Sequence, residues 1–121
     1  MRRIIFLAAA ALAACATVPA AEAGPTAALG QFAQVEGLSI RPLRVVEDSR
    51  CPINARCVWA GRMILHVEVT SGGGRAPYDL TLGEPIAYGG GRLALVAAEP
   101  GREAGHETDP SAYRFTFAYG R

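Results

Sequence analysis

Apolar and polar residues alternate along most of the chain after residue 28, and almost no stretch shows the 3.6-residue period of a helix. The longest alternating run has apolar side chains at one parity: Cys57, Trp59, Met63, Leu65, Val67 and Val69. The other parity holds the polar residues Arg62, His66, Glu68 and Thr70. This pattern predicts a strand with one buried face, and it places Trp59 in the core beneath the segment 51–57.

Shorter alternating stretches predict further strands at residues 29–35, 38–45, 80–82, 93–95 and 113–119. The parity changes at Arg41-Pro42, which predicts a bulge or an edge kink because proline cannot donate a ladder hydrogen bond. The glycine triplets Gly72–Gly74 and Gly89–Gly91 separate such stretches and predict tight turns. The expected fold is therefore all-β, with six to seven strands in a small antiparallel β-sandwich, immunoglobulin-like, or in a barrel.

The first residues differ from the rest, because Arg2-Arg3 precede the apolar run Ile4–Ala14 in the order of an export signal. The run is too short for a transmembrane helix, which needs about 20 apolar residues. It ends in Leu12-Ala13-Ala14-Cys15, which resembles the lipobox of bacterial lipoproteins. The resemblance implies a signal peptide over residues 1–14 and acyl chains on Cys15 that hold the chain at a membrane.

The residue after the cysteine is Ala16, whereas an aspartate there would favour retention in the inner membrane. The same resemblance therefore implies that the protein lies in the outer membrane and faces the periplasm. Residues 15–28 are rich in alanine and proline and predict a flexible tether, which leaves a single β domain over 29–121. The alternative is cleavage after Ala23, at the A-x-A sequence Ala21-Glu22-Ala23, which would release a soluble exported protein without Cys15.

Two further cysteines, Cys51 and Cys57, remain once Cys15 is assigned to lipid. In an oxidising compartment they predict a disulfide that closes a short loop and contributes about 2 kcal/mol of stability. The alternative is a metal-handling protein that uses the reduced cysteines with His66 and His106. A site of this kind needs four protein ligands, or three protein ligands and a water molecule. No cofactor and no complete metal site are predicted.

Charge and chemistry exclude several classes of function. All 12 basic residues are arginines scattered among 11 acidic ones, which is not the footprint of a nucleic-acid-binding protein. The four serines lie outside any G-x-S-x-G sequence, and His106, in the long charged segment Glu99–Pro110, has no identifiable catalytic partner. The chain is therefore predicted not to be an enzyme.

The segment from Glu47 to Gly61 contains the only sharp local motif, D-S-R-C-P followed by C-x-W-A-G. This motif resembles small uncharacterised exported bacterial proteins, and the resemblance implies no reaction or ligand. A disulfide would stiffen the loop, either as a structural connection or to present a binding surface at low entropy cost. The candidate binding residues are Asp48, Arg50, Asn54 and Arg56, joined by Ile53.

The sequence thus predicts a lipid-anchored, monomeric envelope domain without catalytic activity. Its membrane contact is the acylated N-terminus, and its partner is an envelope protein or a glycan, with no nucleic acid. Asp48 is also expected to pair with Arg50 or to accept backbone N–H groups as a turn former.

Overall fold

Eight β-strands form two four-stranded antiparallel sheets over residues 24–121, the part of the chain that this computed structural model describes. The strands are β1 (Thr26–Ala27), β2 (Ala33–Val35), β3 (Leu38–Asp48), β4 (Met63–Ser71), β5 (Gly74–Thr81), β6 (Ile86–Tyr88), β7 (Gly91–Glu99) and β8 (Arg114–Gly120). A single turn of 3-10 helix covers Pro110–Ala112. The predictions for the signal peptide, Cys15 and the cleavage site lie outside the described residues.

The two sheets pack face to face and do not close into a barrel, which confirms the all-β sandwich. One sheet has the order β1-β8-β7-β6 and the other β2-β3-β4-β5. Three of the eight strands have only two or three residues, and the stretch predicted as one strand at 29–35 is regular only over Ala33–Val35. The chain changes sheet only twice, so its connectivity is simpler than the interleaved strand order of immunoglobulin domains.

The core lies between the sheets and follows the predicted alternation. Every second residue of β4 from Met63 to Val69 is fully buried, and so are Phe115 and Phe117 on β8. The fully buried side chains of both sheets include Ile40, Met63, Leu65, Val67, Val69, Leu80, Leu93, Leu95, Phe115 and Phe117. Burial of these side chains is the main favourable term for a domain of this size.

Strand β3 carries the irregularity predicted at Arg41-Pro42. Its register against β4 shifts between Pro42 and Arg44 and again between Val45 and Glu47. The Pro42 carbonyl accepts a hydrogen bond from the Gly30 N–H at 2.7 Å, on the side away from β4. The N–H that proline lacks would point to that same side, so the ladder with β4 loses no bond.

The two ends of the sandwich differ. The tight turns at Gly72-Gly73 and Gly89-Gly90 lie at one end, here called the hairpin end. The opposite end, the loop end, carries two long connections: the disulfide loop (Ser49–Arg62) and the β7–β8 loop (Pro100–Tyr113). Strand β1 runs antiparallel to β8, so the described chain starts by running from the hairpin end toward the loop end. No helix in this part of the chain is long and apolar enough to cross a membrane.

Candidate functional site at the loop end

The disulfide loop leaves the sheet through a narrow neck where β3 and β4 come together. The Ser49 N–H donates to the Arg62 carbonyl at 2.8 Å, and the Arg62 N–H donates to Ser49 Oγ at 3.0 Å. A Cβ atom at Gly61 would lie only 1.5 Å from the Ser49 carbonyl oxygen, so this position admits no side chain. Glycine at residue 61 therefore permits the close approach of the two backbones that starts the loop.

Cys51 and Cys57 form the predicted disulfide, with their Cα atoms 5.8 Å apart. The bridge encloses Pro52 and a turn in which the Ala55 N–H donates to the Pro52 carbonyl at 3.1 Å. The covalent link and the turn together limit the conformations available to this part of the loop.

Arg50 and Asp48 form a two-pronged ion pair, which confirms the predicted pairing. Arg50 Nε donates to Asp48 Oδ1 at 2.8 Å and Nη2 donates to Oδ2 at 3.0 Å, while the Tyr113 hydroxyl donates to the same Oδ2 at 2.8 Å. The side chains of Arg50 and Asp48 are only 16% and 9% exposed. Tyr113 thus joins the pair from the neighbouring sheet.

These contacts set the protonation states of the cluster. Burial by itself raises the pKa of Asp48, but the hydrogen bonds from Arg50 and Tyr113 and the charge of Arg50 outweigh it, so the pKa lies below its ordinary value. Burial and the hydrogen bond to Asp48 raise the pKa of Tyr113. At neutral pH the cluster is therefore a carboxylate held by a guanidinium and a neutral phenol.

The same arginine ties the disulfide loop to the β7–β8 loop. Arg50 donates to the carbonyls of Ala98 at 2.8 Å and Pro100 at 3.0 Å, and Arg102 Nη1 donates to the Arg50 carbonyl at 2.7 Å. Further along, the Ile53 N–H donates to the Arg102 carbonyl at 2.8 Å. The two loops, one from each sheet, are thereby connected into one hydrogen-bonded unit.

The structure separates the four predicted binding residues. The side chains of Asp48 and Arg50 are mostly buried, and their contacts hold the two loops together. The Asn54 side-chain oxygen accepts the Ala104 N–H at 2.8 Å, which anchors the loop tip. Asn54 and Arg56 are both exposed, and of these two only Arg56 makes no side-chain hydrogen bond or ion pair with the described residues.

Hydrophobic side chains occupy the tip instead. Ile53, Val58 and Trp59 are 72%, 95% and 65% exposed. The prediction that Trp59 packs in the core is wrong, because β4 begins only at Met63 and the alternation upstream of Gly61 does not belong to a strand. The dipeptide Ala60-Gly61 was the available signal, since glycine commonly interrupts a strand pattern.

A cleft of about 320 Å³ lies beside the loop and is lined by Asp48, Arg102, His106, Glu107, Thr108, Pro110 and Tyr113. His106 is exposed there, whereas His66 lies on β4 and contacts Asp79 of β5 at 2.6 Å. Within residues 24–121, no three His, Cys, Asp or Glu side chains are grouped to hold a metal ion. Comparison with protein-family models, curated proteins and solved structures found no match to this chain.

Proposed function

We propose that this chain is a lipid-anchored, non-catalytic domain of the bacterial cell envelope that binds another envelope protein through the tip of its disulfide loop. The observation that carries the proposal is the exposure of Ile53, Val58 and Trp59 on a loop that a disulfide and several hydrogen bonds hold against the β7–β8 loop. Exposed apolar side chains that are grouped on one loop mark interaction sites in soluble domains.

The fixed backbone favours binding, because a loop that is already ordered loses little conformational entropy on association. The order comes from the Cys51–Cys57 disulfide and from the hydrogen bonds of Arg50 and Asn54 to the β7–β8 loop. A tryptophan on such a support is typical of the few residues that dominate the energy of protein interfaces. The exposed aliphatic side chains of Ile53 and Val58 on the same loop favour a protein surface over a glycan.

The anchoring part of the proposal rests on the lipobox-like sequence that ends at Cys15. The direction of β1 favours a separation of the anchor from the disulfide loop, because this strand runs toward the loop end and the chain that precedes it therefore comes from the side of the hairpin end. An anchor at the N-terminus would leave the tip of the loop free to reach a partner.

The test is photo-crosslinking in cells, with a photoreactive amino acid at Val58. The control carries the same group at Val96, an exposed valine on β7 outside the loop. We expect a discrete adduct from residue 58 that is absent from residue 96 and is lost when Trp59→Ser is added. The fluorescence of Trp59, the only tryptophan, should shift when the purified partner is added.

Identical adducts from residues 58 and 96, or none from residue 58, would contradict the binding role. The anchor is tested separately by labelling cells with a radioactive fatty acid. The wild-type chain should incorporate label and Cys15→Ala should not. Equal labelling, or none in the wild type, would favour cleavage after Ala23 instead.

A further inference from the structure

The hairpin end carries a second feature, a cleft of about 710 Å³ that the proposed binding role does not use. It is lined by Ala87, Tyr88, Gly89, Gly90, Gly91, Arg92, Gly120 and Arg121. We propose that this cleft binds a phosphate group, held between the guanidinium groups of Arg92 and Arg121. The idea that the phosphate belongs to a lipid headgroup rests on the proposed anchoring, whereas the phosphate site itself does not depend on it.

The cleft exists because two glycine segments approach each other. Arg92 pairs with Gly120 in the β7–β8 ladder, which brings residues 91–92 beside the last residues of the chain. A Cβ atom at Gly91 would lie 2.6 Å from the Gly120 carbonyl oxygen, so a larger residue could not occupy this position. The absence of side chains leaves the floor of the cleft open to a ligand.

Tyrosine contacts fix the shape of the glycine turn. The Tyr119 hydroxyl donates to the carbonyls of Tyr88 at 2.8 Å and Gly89 at 3.1 Å. The rings of Tyr88 and Tyr119 meet edge to face with their centroids 6.2 Å apart. With its carbonyls held by Tyr119, the turn has a defined conformation before any ligand arrives, which lowers the entropy cost of binding.

The charged side chains that line the cleft are all positive. Its lining contains two arginines and no carboxylate side chain. Within residues 24–121, neither Arg92 nor Arg121 takes part in any of the four ion pairs. Glu36 lines a neighbouring cleft together with Arg121, so it places an acidic side chain near the site.

Two arginines without acidic partners favour a phosphate, because guanidinium groups match its oxygens with paired, charge-assisted hydrogen bonds. The phosphate could belong to a phospholipid headgroup or to a soluble anion. Strand β1 runs in the direction from the hairpin end toward the loop end, so an anchor that precedes it would lie on the hairpin side and this end would face the bilayer. An anionic headgroup is the source that this placement favours.

The experiment uses the full-length exported protein, purified in a maltoside detergent that carries no phosphate. Inorganic phosphate is titrated while the amide signals of the glycines at 89–91 and 120 are followed by NMR. We expect saturable shifts at these amides. Arg92→Gln and Arg121→Gln should each weaken phosphate binding about tenfold, because each removes a hydrogen bond to a charged group.

Arg56→Gln is the matched control, since Arg56 is an exposed arginine at the opposite end, and it should leave the affinity unchanged. Glu36→Gln should tighten binding, because it removes the nearby negative charge. Absence of saturable shifts at the cleft, or equal weakening by Arg56→Gln and Arg92→Gln, would overturn the proposal.

A second arm distinguishes the two sources. The protein is reconstituted in nanodiscs of phosphatidylcholine alone or mixed with phosphatidylglycerol, without free phosphate. Shifts of the cleft amides only with phosphatidylglycerol would support the lipid headgroup, and equal spectra would assign the site to a soluble phosphate. A chain without acyl groups, shown by its mass, would refute the anchoring while the phosphate titration still decides the site.

Discussion

At the scale of single residues, Arg50 has the most consequential contacts in the described part of the chain. Its guanidinium group pairs with Asp48 and also donates to the carbonyls of Ala98 and Pro100. It thereby ties the disulfide loop to the end of β7. The arginine of the motif around Cys51 therefore has a structural role. The exposed side chains of the same loop are the hydrophobic ones of Ile53, Val58 and Trp59. The planar guanidinium group has five N–H donors, so it can bind the carboxylate and both carbonyls at once. The ammonium group of a lysine could not make the same set of hydrogen bonds.

We expect Arg50→Ala to lower the free energy of unfolding by about 2–4 kcal/mol, because it leaves the Asp48 carboxylate without its counter-charge. Arg56→Ala, the matched control in the same loop, should change it by less than about 0.5 kcal/mol. Urea denaturation measures both. Equal effects of the two substitutions would show that the buried pair contributes nothing special.

The lowered pKa of Asp48 predicts a pH dependence of stability. A carboxyl whose pKa is lower in the folded state stabilises the protein above its unfolded pKa, and this contribution is lost as the pH falls through the folded value. The difference in unfolding free energy between wild type and Asp48→Asn should therefore be full at pH 7 and shrink below about pH 4.

Urea denaturation of both proteins across this pH range provides the measurement. Asp109→Asn is the comparison, because Asp109 is an exposed aspartate whose lowered pKa comes from the Ser111 N–H and hydroxyl and involves no arginine. A difference between wild type and Asp48→Asn that stays constant down to pH 3 would contradict the role assigned to the ionised carboxylate.

At the scale of elements, the disulfide loop depends on its neck as much as on its covalent bridge. The bridge closes only residues 51–57, whereas the neck at Ser49 and Gly61 determines where both ends leave the sheet. The loop is further held by hydrogen bonds to the β7–β8 loop, which connects two strands of the other sheet. Its rigidity is thus a property of two connections and not of the disulfide alone.

Gly61→Ala should lower the free energy of unfolding by at least about 2 kcal/mol, because the new methyl group would overlap the Ser49 carbonyl and force the backbones apart. Gly72→Ala is the control, since a Cβ there meets nothing within 4 Å and the backbone does not require glycine. That substitution should be neutral or stabilise by about 0.4–1 kcal/mol. Thermal denaturation of both variants makes the comparison, and similar losses would refute the steric argument.

At the scale of the whole molecule, the sandwich has two unlike ends. Short glycine turns and two arginines lie at the hairpin end, whereas long interlocked loops and exposed hydrophobic residues lie at the loop end. The two proposals assign these ends to different surroundings. The hairpin end would face phospholipid and the loop end a protein partner.

This polarity predicts how Trp59 responds to quenchers in the acylated protein bound to vesicles. Acrylamide in the water should quench its fluorescence, and brominated phospholipids should not. The control is Trp59→Phe combined with Tyr119→Trp, which moves the only tryptophan to the hairpin end and should make it sensitive to the brominated lipid. Lipid quenching of Trp59 itself would reverse the proposed orientation.

Much of the fold was predictable because strand patterns are local. Alternation from Met63 to Val69 and around Phe115 reports burial of one sheet face, and the glycine pairs report turns. The same rule failed at Trp59, where alternation continued by chance beyond the start of the strand. The inward direction of Arg50 was also hidden, since its carbonyl partners are 48 and 50 residues away.

By itself, the sequence determined the all-β class, the main strands and the disulfide, because each depends on residues that are close along the chain, and it gave the pairing of Asp48 with Arg50 as one of two alternatives. Only the tertiary structure decided which side chains of the motif are buried, that Tyr113 joins the ion pair, and that the glycine segments bring Arg92 and Arg121 to one cleft. These features arise from contacts between distant loops or between strands that are far apart along the chain. Such contacts are set by how the sheets pack, which local periodicity does not encode.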